Sequence, residues 1–146
     1  MEEYKPHHPQ LLVNGTNAPE IAGRNYDDQL KNDKVNFKGK ITLLDFWYMN
    51  CLPCIKTIAM IEKLIPKYPM LQTIGVNTVD TTEAQIAKVG NFKKKNNMSY
   101  PIFLVNHAII DSYKVEVWPS LYLIDGNGKI IYSQLGINDK SKPWKR

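Results

Sequence analysis

The chain has 146 residues, 43% of them apolar and 23% charged, which suffices for one hydrophobic core and is short for two independent domains. Its net charge of +5 comes without a zinc-finger, helix-turn-helix or aromatic-rich basic motif. The lysines at 93–95 and in the tail from Lys140 to Arg146 therefore read as solvated surface, with no nucleic-acid partner. No run approaches the roughly eighteen apolar residues of a membrane span, and two cysteines cannot build a multi-bridge scaffold.

In chain order, residues 1–17 carry Pro6, Pro9 and Gly15 among polar residues without a sustained period, and read as an extended N-terminal arm ahead of a domain spanning 18–146. Met1 to Gln10 lacks the apolar centre of a secretory leader, so export would require a leader outside this sequence. His7 and His8 supply too few oriented ligands for a metal site. Ile41 to Tyr48 is almost continuously apolar, as in a central strand covered on both faces, with Asp45 as its anomaly. Ile55, Ile58, Ile61 and Ile65 then mark one face of a helix that Pro66 and Pro69 would close. Leu71 to Val76 reads as a second strand. Thr81 and Thr82 offer caps for a helix carrying Ile86, Val89 and Phe92. Pro101 to Val105 is a short strand, Ala108 to Val117 is ambiguous with room for a short helix, and Ser120 to Ser133 is a hairpin whose Asn127-Gly128 suits a tight primed turn. Strands alternating with helices and a terminal hairpin predict an α/β or α+β class: a mixed sheet with helices packed on it.

Cys51 and Cys54 stand at the start of the first helix. The first cysteine of such a pair faces the positive end of the helix dipole, which favours thiolate, the attacking species in disulfide exchange. Cys51 is the expected nucleophile. Cys54, one turn inside the helix, is placed to resolve a mixed disulfide. The alternative use of such a pair is half a zinc site, but outside the arm only His107 could add a ligand, and a haem attachment would need His at 55, where Ile stands. Asp45, a carboxylate in an apolar strand, should be desolvated and titrate near neutrality, unless it lies inert at a sheet edge. Trp47 is a candidate to pack beside the cysteines or simply a core residue, and Lys56 is either a helper of the thiolate or an exposed helical lysine.

The run from Asp45 to Cys54, with Val117-Trp118-Pro119-Ser120 and the hairpin from Leu121 to Lys129, resembles the thioredoxins. Gly15-Thr16-Asn17-Ala18-Pro19, Phe37-Lys38-Gly39-Lys40 and the long stretch between Val76 and Pro119 resemble the extracytoplasmic reductases of the TlpA and ResA type. The resemblance spans about residues 15–136. It implies an α/β thioredoxin fold, a central mixed sheet sandwiched by helices, with an N-terminal extension and a central insertion. It implies that Pro119 follows a cis bond against the cysteines, that Trp118 main chain pairs with an extended substrate, and that Asp45 exchanges a proton with Cys54. Catalytic roles thus fall on Cys51, Cys54, Asp45 and Pro119, and substrate contacts on Trp47, Pro53 and Trp118. The implied activity reduces disulfides of exported proteins, with a disulfide-containing protein substrate, a membrane-bound thiol electron donor, no resident cofactor, a monomeric chain and an extracytoplasmic location.

Three positions depart from that pattern. Asn50 replaces the usual bulky residue before the first cysteine, Thr57 stands where some relatives carry a functional Glu, and Trp118 is bulkier than the usual Thr or small aliphatic residue. Only ten residues follow Gly136, where the fold usually ends in a helix, and the N-terminal arm is the expected substitute cover. Two other functions compete: a copper-binding or metal-chaperone module gripping a soft ion with both sulfurs and His107, and a peroxiredoxin-type peroxidase. The peroxidase would want Thr three residues before its nucleophile, where Tyr48 stands.

Overall fold

The computed structural model describes residues 9–136. His7, His8 and the basic tail from Lys140 lie outside the described residues. A strand β1 (Ala22–Asn25) and a strand β2 (Lys31–Lys34) form an N-terminal hairpin. They are followed by β3 (Thr42–Phe46), α1 (Leu52–Leu64) with a 3-10 turn at Ile65–Lys67, and β4 (Gln72–Asn77). Then come α2 (Glu83–Lys95), β5 (Ile102–Val105), a short α3 (Ile109–Tyr113) and the hairpin β6 (Ser120–Ile124) and β7 (Ile130–Leu135). The seven strands make one mixed sheet in the order β2-β1-β5-β4-β3-β6-β7. β3, β4 and β5 run parallel, and the flanking pairs are antiparallel. This is a thioredoxin-like fold, with α2, β5 and α3 lying between β4 and β6 in the chain.

Alternation along β3 sorts its side chains onto two layers. Leu43 and Trp47 pack with Ile58 and Ile61 of α1 and with Ile86 and Val89 of α2. Leu44 and Phe46 join the other layer with Tyr113, Tyr122 and Ile124. On this second face Leu11 and Leu12 of the arm, with Ile109 and Ile110 of α3, pack against the core. The arm is tied down by main-chain bonds from Gly15 to Ile130 and from Ile130 to Thr16, and Leu12 N–H donates to the Tyr122 hydroxyl at 2.9 Å. The described part of the arm therefore lies on the sheet.

α2 begins where its caps predict: Thr82 is the N-cap, and its reciprocal bonds with Gln85 complete a capping box. The last turn differs from expectation. Only Gly128 takes a positive φ, at 78°, so Asn127-Gly128 is not a primed pair. Asp125 closes the loop instead, accepting from Asn127 N–H and Lys129 N–H through its side chain. The primed geometry occurs at Gln29 and Leu30, with φ of 56° and 55°, inside the turn closed by Lys31 N–H to Asp28 C=O.

Gly75 of β4 pairs with Asp45, and a Cβ there would lie 2.8 Å from Trp47 Nε1 and 3.0 Å from Met98 Cε. The indole of Trp47 packs directly over this glycine. Gly75→Ala is expected to cost about 1–3 kcal/mol through overpacking, read as a lower urea midpoint at unchanged slope.

Candidate active site

The site forms where β3 runs out of the sheet and α1 begins. Cys51 is the N-cap of α1, Pro53 lies in the first turn with its fixed φ suited to a helix start, and no acidic residue stands in that turn. The helix dipole therefore acts on Cys51 unopposed by a local carboxylate. Cys51 and Cys54 are joined as a disulfide with Cα atoms 5.1 Å apart, and Cys54 N–H points at Cys51 Sγ, 3.2 Å away. Cys51 keeps 4% of its surface exposed and Cys54 none. Of the two cysteines, Cys51 alone keeps any exposed surface. Leu52, 74% exposed, and the exposed Pro53 and Asn50 surround it. Lys56 is exposed on α1 and Thr57 is buried beneath it.

Asp45 is fully buried on the layer that carries both cysteines. Its neighbours across the sheet are Gly75 and Leu121, so it occupies a central strand and not an edge. Burial raises its pKa from the carboxylate range to about 7, against a lowering by the hydroxyl of Tyr100. That hydroxyl donates to Asp45 Oδ2 at 2.8 Å, while Oδ1 has no hydrogen-bond partner among the described residues. A buried carboxyl that titrates near neutrality can take or give a proton at physiological pH.

Trp47 is fully buried, stacked on Phe92 with ring centroids 5.0 Å apart. It packs in the cysteine layer, and its ring has no surface to offer a partner. The Trp118–Pro119 bond is cis. Pro119 is buried and Trp118 half-buried. The pairing of Ser120 with Phe46 brings Pro119 beside the end of β3, and its carbonyl accepts from Gly136 N–H at 2.7 Å. Trp118 meets Tyr48 edge to face at 6.0 Å, forming an aromatic wall next to the segment that leads to Cys51.

Two site residues were not singled out from the sequence. Tyr100 is one. The other is Asp80, buried after β4, whose Oδ2 accepts from Met49 N–H at 2.8 Å and from the Asn77 side chain at 2.9 Å. Asp80 anchors the loop ahead of Cys51 to the end of β4. A polar residue shortly after a parallel strand was the available signal, because α/β sheets place their sites at the carboxyl ends of strands. His107 lies elsewhere in the hydrogen-bond pattern, with Nδ1 3.1 Å from the Thr78 carbonyl, and no group of three metal-ligating side chains is assembled among the described residues. This arrangement does not favour the metal-chaperone reading.

A helix-capping disulfide on a thioredoxin-like sheet, backed by a buried carboxyl group, defines the class of thioredoxin-fold thiol-disulfide oxidoreductases. Residues 14–133 match the AhpC/TSA family. The thiol-disulfide oxidoreductase ResA of Bacillus thuringiensis subsp. konkukian is 32% identical over 129 residues, covering 88% of this chain and 73% of that protein. DipZ of Mycobacterium tuberculosis is 32% identical over 140 residues, covering 89% of this chain and 20% of that protein. Among solved structures, the thioredoxin domain of a thiol-disulfide oxidoreductase from Bacteroides vulgatus superposes with a TM-score of 0.75 at 25% identity, covering 92% of this chain and 99% of that one. The chain belongs to the AhpC/TSA family and, within it, to the ResA-like thiol-disulfide oxidoreductases.

Proposed function

We propose that this enzyme reduces disulfides of exported proteins by cycling Cys51 and Cys54 between dithiol and disulfide. The observation that carries the reading is the disulfide at the N-terminus of α1, of which Cys51 alone keeps exposed surface. In the reduced protein, Cys51 thiolate attacks one sulfur of the substrate disulfide and the other substrate sulfur leaves as a thiol after protonation. Cys54 then loses its proton to Asp45 and attacks Cys51 Sγ. The mixed disulfide breaks, the substrate leaves with both sulfurs reduced, and the enzyme keeps the Cys51–Cys54 bond. Two electrons pass from enzyme to substrate.

Pro119 shapes the wall against the cysteines, and the Trp118 main chain pairs with an extended substrate segment in strand addition. Pro53 and Trp118 offer contact surface on either side of Cys51. Trp47 contributes from within, by packing under the cysteines. Residues 1–17 act as an arm ahead of a catalytic domain over 18–146, and within it Leu11 and Leu12 cover the sheet face opposite α1. The enzyme works as a monomer outside the cytoplasm, where disulfides persist, and a membrane-bound thiol donor returns it to the dithiol form. No helix among the described residues is long and apolar enough to cross a membrane.

Reduced enzyme mixed with an oxidised peptide carrying a Cys-x-x-Cys disulfide tests the direction. Mass spectrometry after acid quenching is expected to show one reduced peptide for each enzyme molecule oxidised. A peptide that stays oxidised while the enzyme stays reduced would contradict the reductase reading.

A further inference from the structure

We infer that Tyr100 is a positioning residue of the dithiol site: its hydroxyl holds Asp45 Oδ2 and leaves Oδ1 as the oxygen that exchanges the proton. This rests on the proposed role of Asp45 as proton partner of Cys54. Tyr100 is itself buried, in the same layer as Asp45 and the cysteines, and its segment is fastened from two helices. Glu62 of α1 accepts from Ser99 N–H at 2.6 Å and from the Ser99 hydroxyl at 2.9 Å. Lys93 of α2 donates to the Tyr100 carbonyl at 3.1 Å and is in turn paired with Asp27, whose second oxygen accepts from Ile102 N–H at 2.8 Å. A ring held this firmly presents its hydroxyl in one place. It is the hydrogen bond given to Asp45, and one carboxylate oxygen is therefore occupied whichever way the proton moves.

The groups around Asp45 are few. Cys51 and Cys54 share the layer of Tyr100, and Glu62 of α1 lies across Tyr100. α2 contributes Lys93 at the carbonyl end of Tyr100, and the strands on either side present Gly75 and Leu121, neither of which titrates. Tyr100 is thus the one described donor to the Asp45 carboxylate. A hydrogen bond to the charged form favours ionisation, so its loss makes Asp45 hold its proton to higher pH.

The test uses full-length protein with 13C-labelled aspartate carboxyls, titrated by NMR in the oxidised form, where neither cysteine contributes. Single-turnover reduction of the disulfide peptide is followed in parallel from pH 5 to pH 9. Tyr100→Phe keeps the ring and is expected to raise the Asp45 midpoint by about one pH unit and to move the rate inflection upward with it. Ser99→Ala, which loosens the segment without removing the hydroxyl, moves both in the same direction by less. Asp45→Asn assigns the resonance and removes the inflection that shares its midpoint, leaving only that of the Cys51 thiol. If Asp45→Asn removes it and neither Tyr100→Phe nor Ser99→Ala moves either midpoint, Tyr100 is only packing and the inference falls while the role of Asp45 stands. An inflection at the Asp45 midpoint that survives Asp45→Asn overturns the role of Asp45 and that of Tyr100 together.

Discussion

Asp45→Asn is expected to stabilise the oxidised protein at pH 8 by on the order of 4 kcal/mol, a gain that fades to nearly nothing at about pH 4. The folded-state pKa of Asp45 is raised to about 7 by burial, whereas in the unfolded chain an aspartate titrates at about 3.9. Between those values the folded protein holds a proton that the unfolded chain has lost. The contribution to stability is therefore present below the unfolded pKa and disappears as pH rises through about 7, by about 1.4 kcal/mol per pH unit in that window. At low pH the comparison is between a protonated carboxyl and an amide of the same shape, each accepting from Tyr100 and each with one polar group lacking a partner, so the two proteins should be alike. Urea unfolding from pH 4 to pH 8 reads the divergence. Two parallel stability curves would mean that the carboxyl of Asp45 does not bear its charge in a desolvated place. The same variant should turn over substrate about a hundredfold more slowly, a magnitude usual for the loss of a general base, because Cys54 no longer has its proton acceptor.

The cysteines give the second large effect, through opposite outcomes in two single variants. Cys51→Ser should abolish disulfide reduction altogether, since Cys54 has no exposed surface and cannot reach a macromolecular substrate. Cys54→Ser should still attack and then stall, holding one equivalent of substrate in a mixed disulfide on Cys51 that dithiothreitol releases. Non-reducing gels and intact-mass spectra separate the two. Adducts forming equally on both variants would remove the distinction between nucleophile and resolving residue.

Much of this could be read from the residue pattern, for reasons visible in particular elements. β3 and β4 are buried on both faces, which Leu43, Leu44 and Phe46 and then Ile74 and Val76 announce, while α1 carries helical periodicity and α2 adds a threonine cap to it. Local and tertiary signals agree there. The hairpin of β1 and β2 carried no such signal. Lys31-Asn32-Asp33-Lys34 is exposed throughout, and it forms a strand because β1 pairs with both it and β5. Its turn places Gln29 and Leu30 in the left-handed region without a glycine, while Leu30 packs against the layer beneath α1 and α2. Tertiary burial sets that turn, whereas the Asn127-Gly128 pair adopts a different one under the Asp125 side chain.

The site divides in the same way. Cys51, Cys54 and Asp45 stood out because each breaks the pattern around it, a spaced pair before a helix and a charge in an apolar strand. Tyr100 lies 55 residues from Asp45, and a tyrosine before a strand looks like any other core aromatic until the fold brings its hydroxyl to the carboxyl. Asp80 shares that problem, since its value comes from Met49 across the gap between two strands.

The reduction potential of the Cys51–Cys54 couple tests the central claim most directly, by equilibrating the protein with dithiothreitol or glutathione buffers and trapping the thiols. The account predicts a reversible two-electron couple toward the reducing end, near thioredoxin's value of about −270 mV. A couple near about −120 mV would make the protein an oxidant, and no reversible couple, with tight stoichiometric binding of copper or zinc instead, would contradict the redox account altogether.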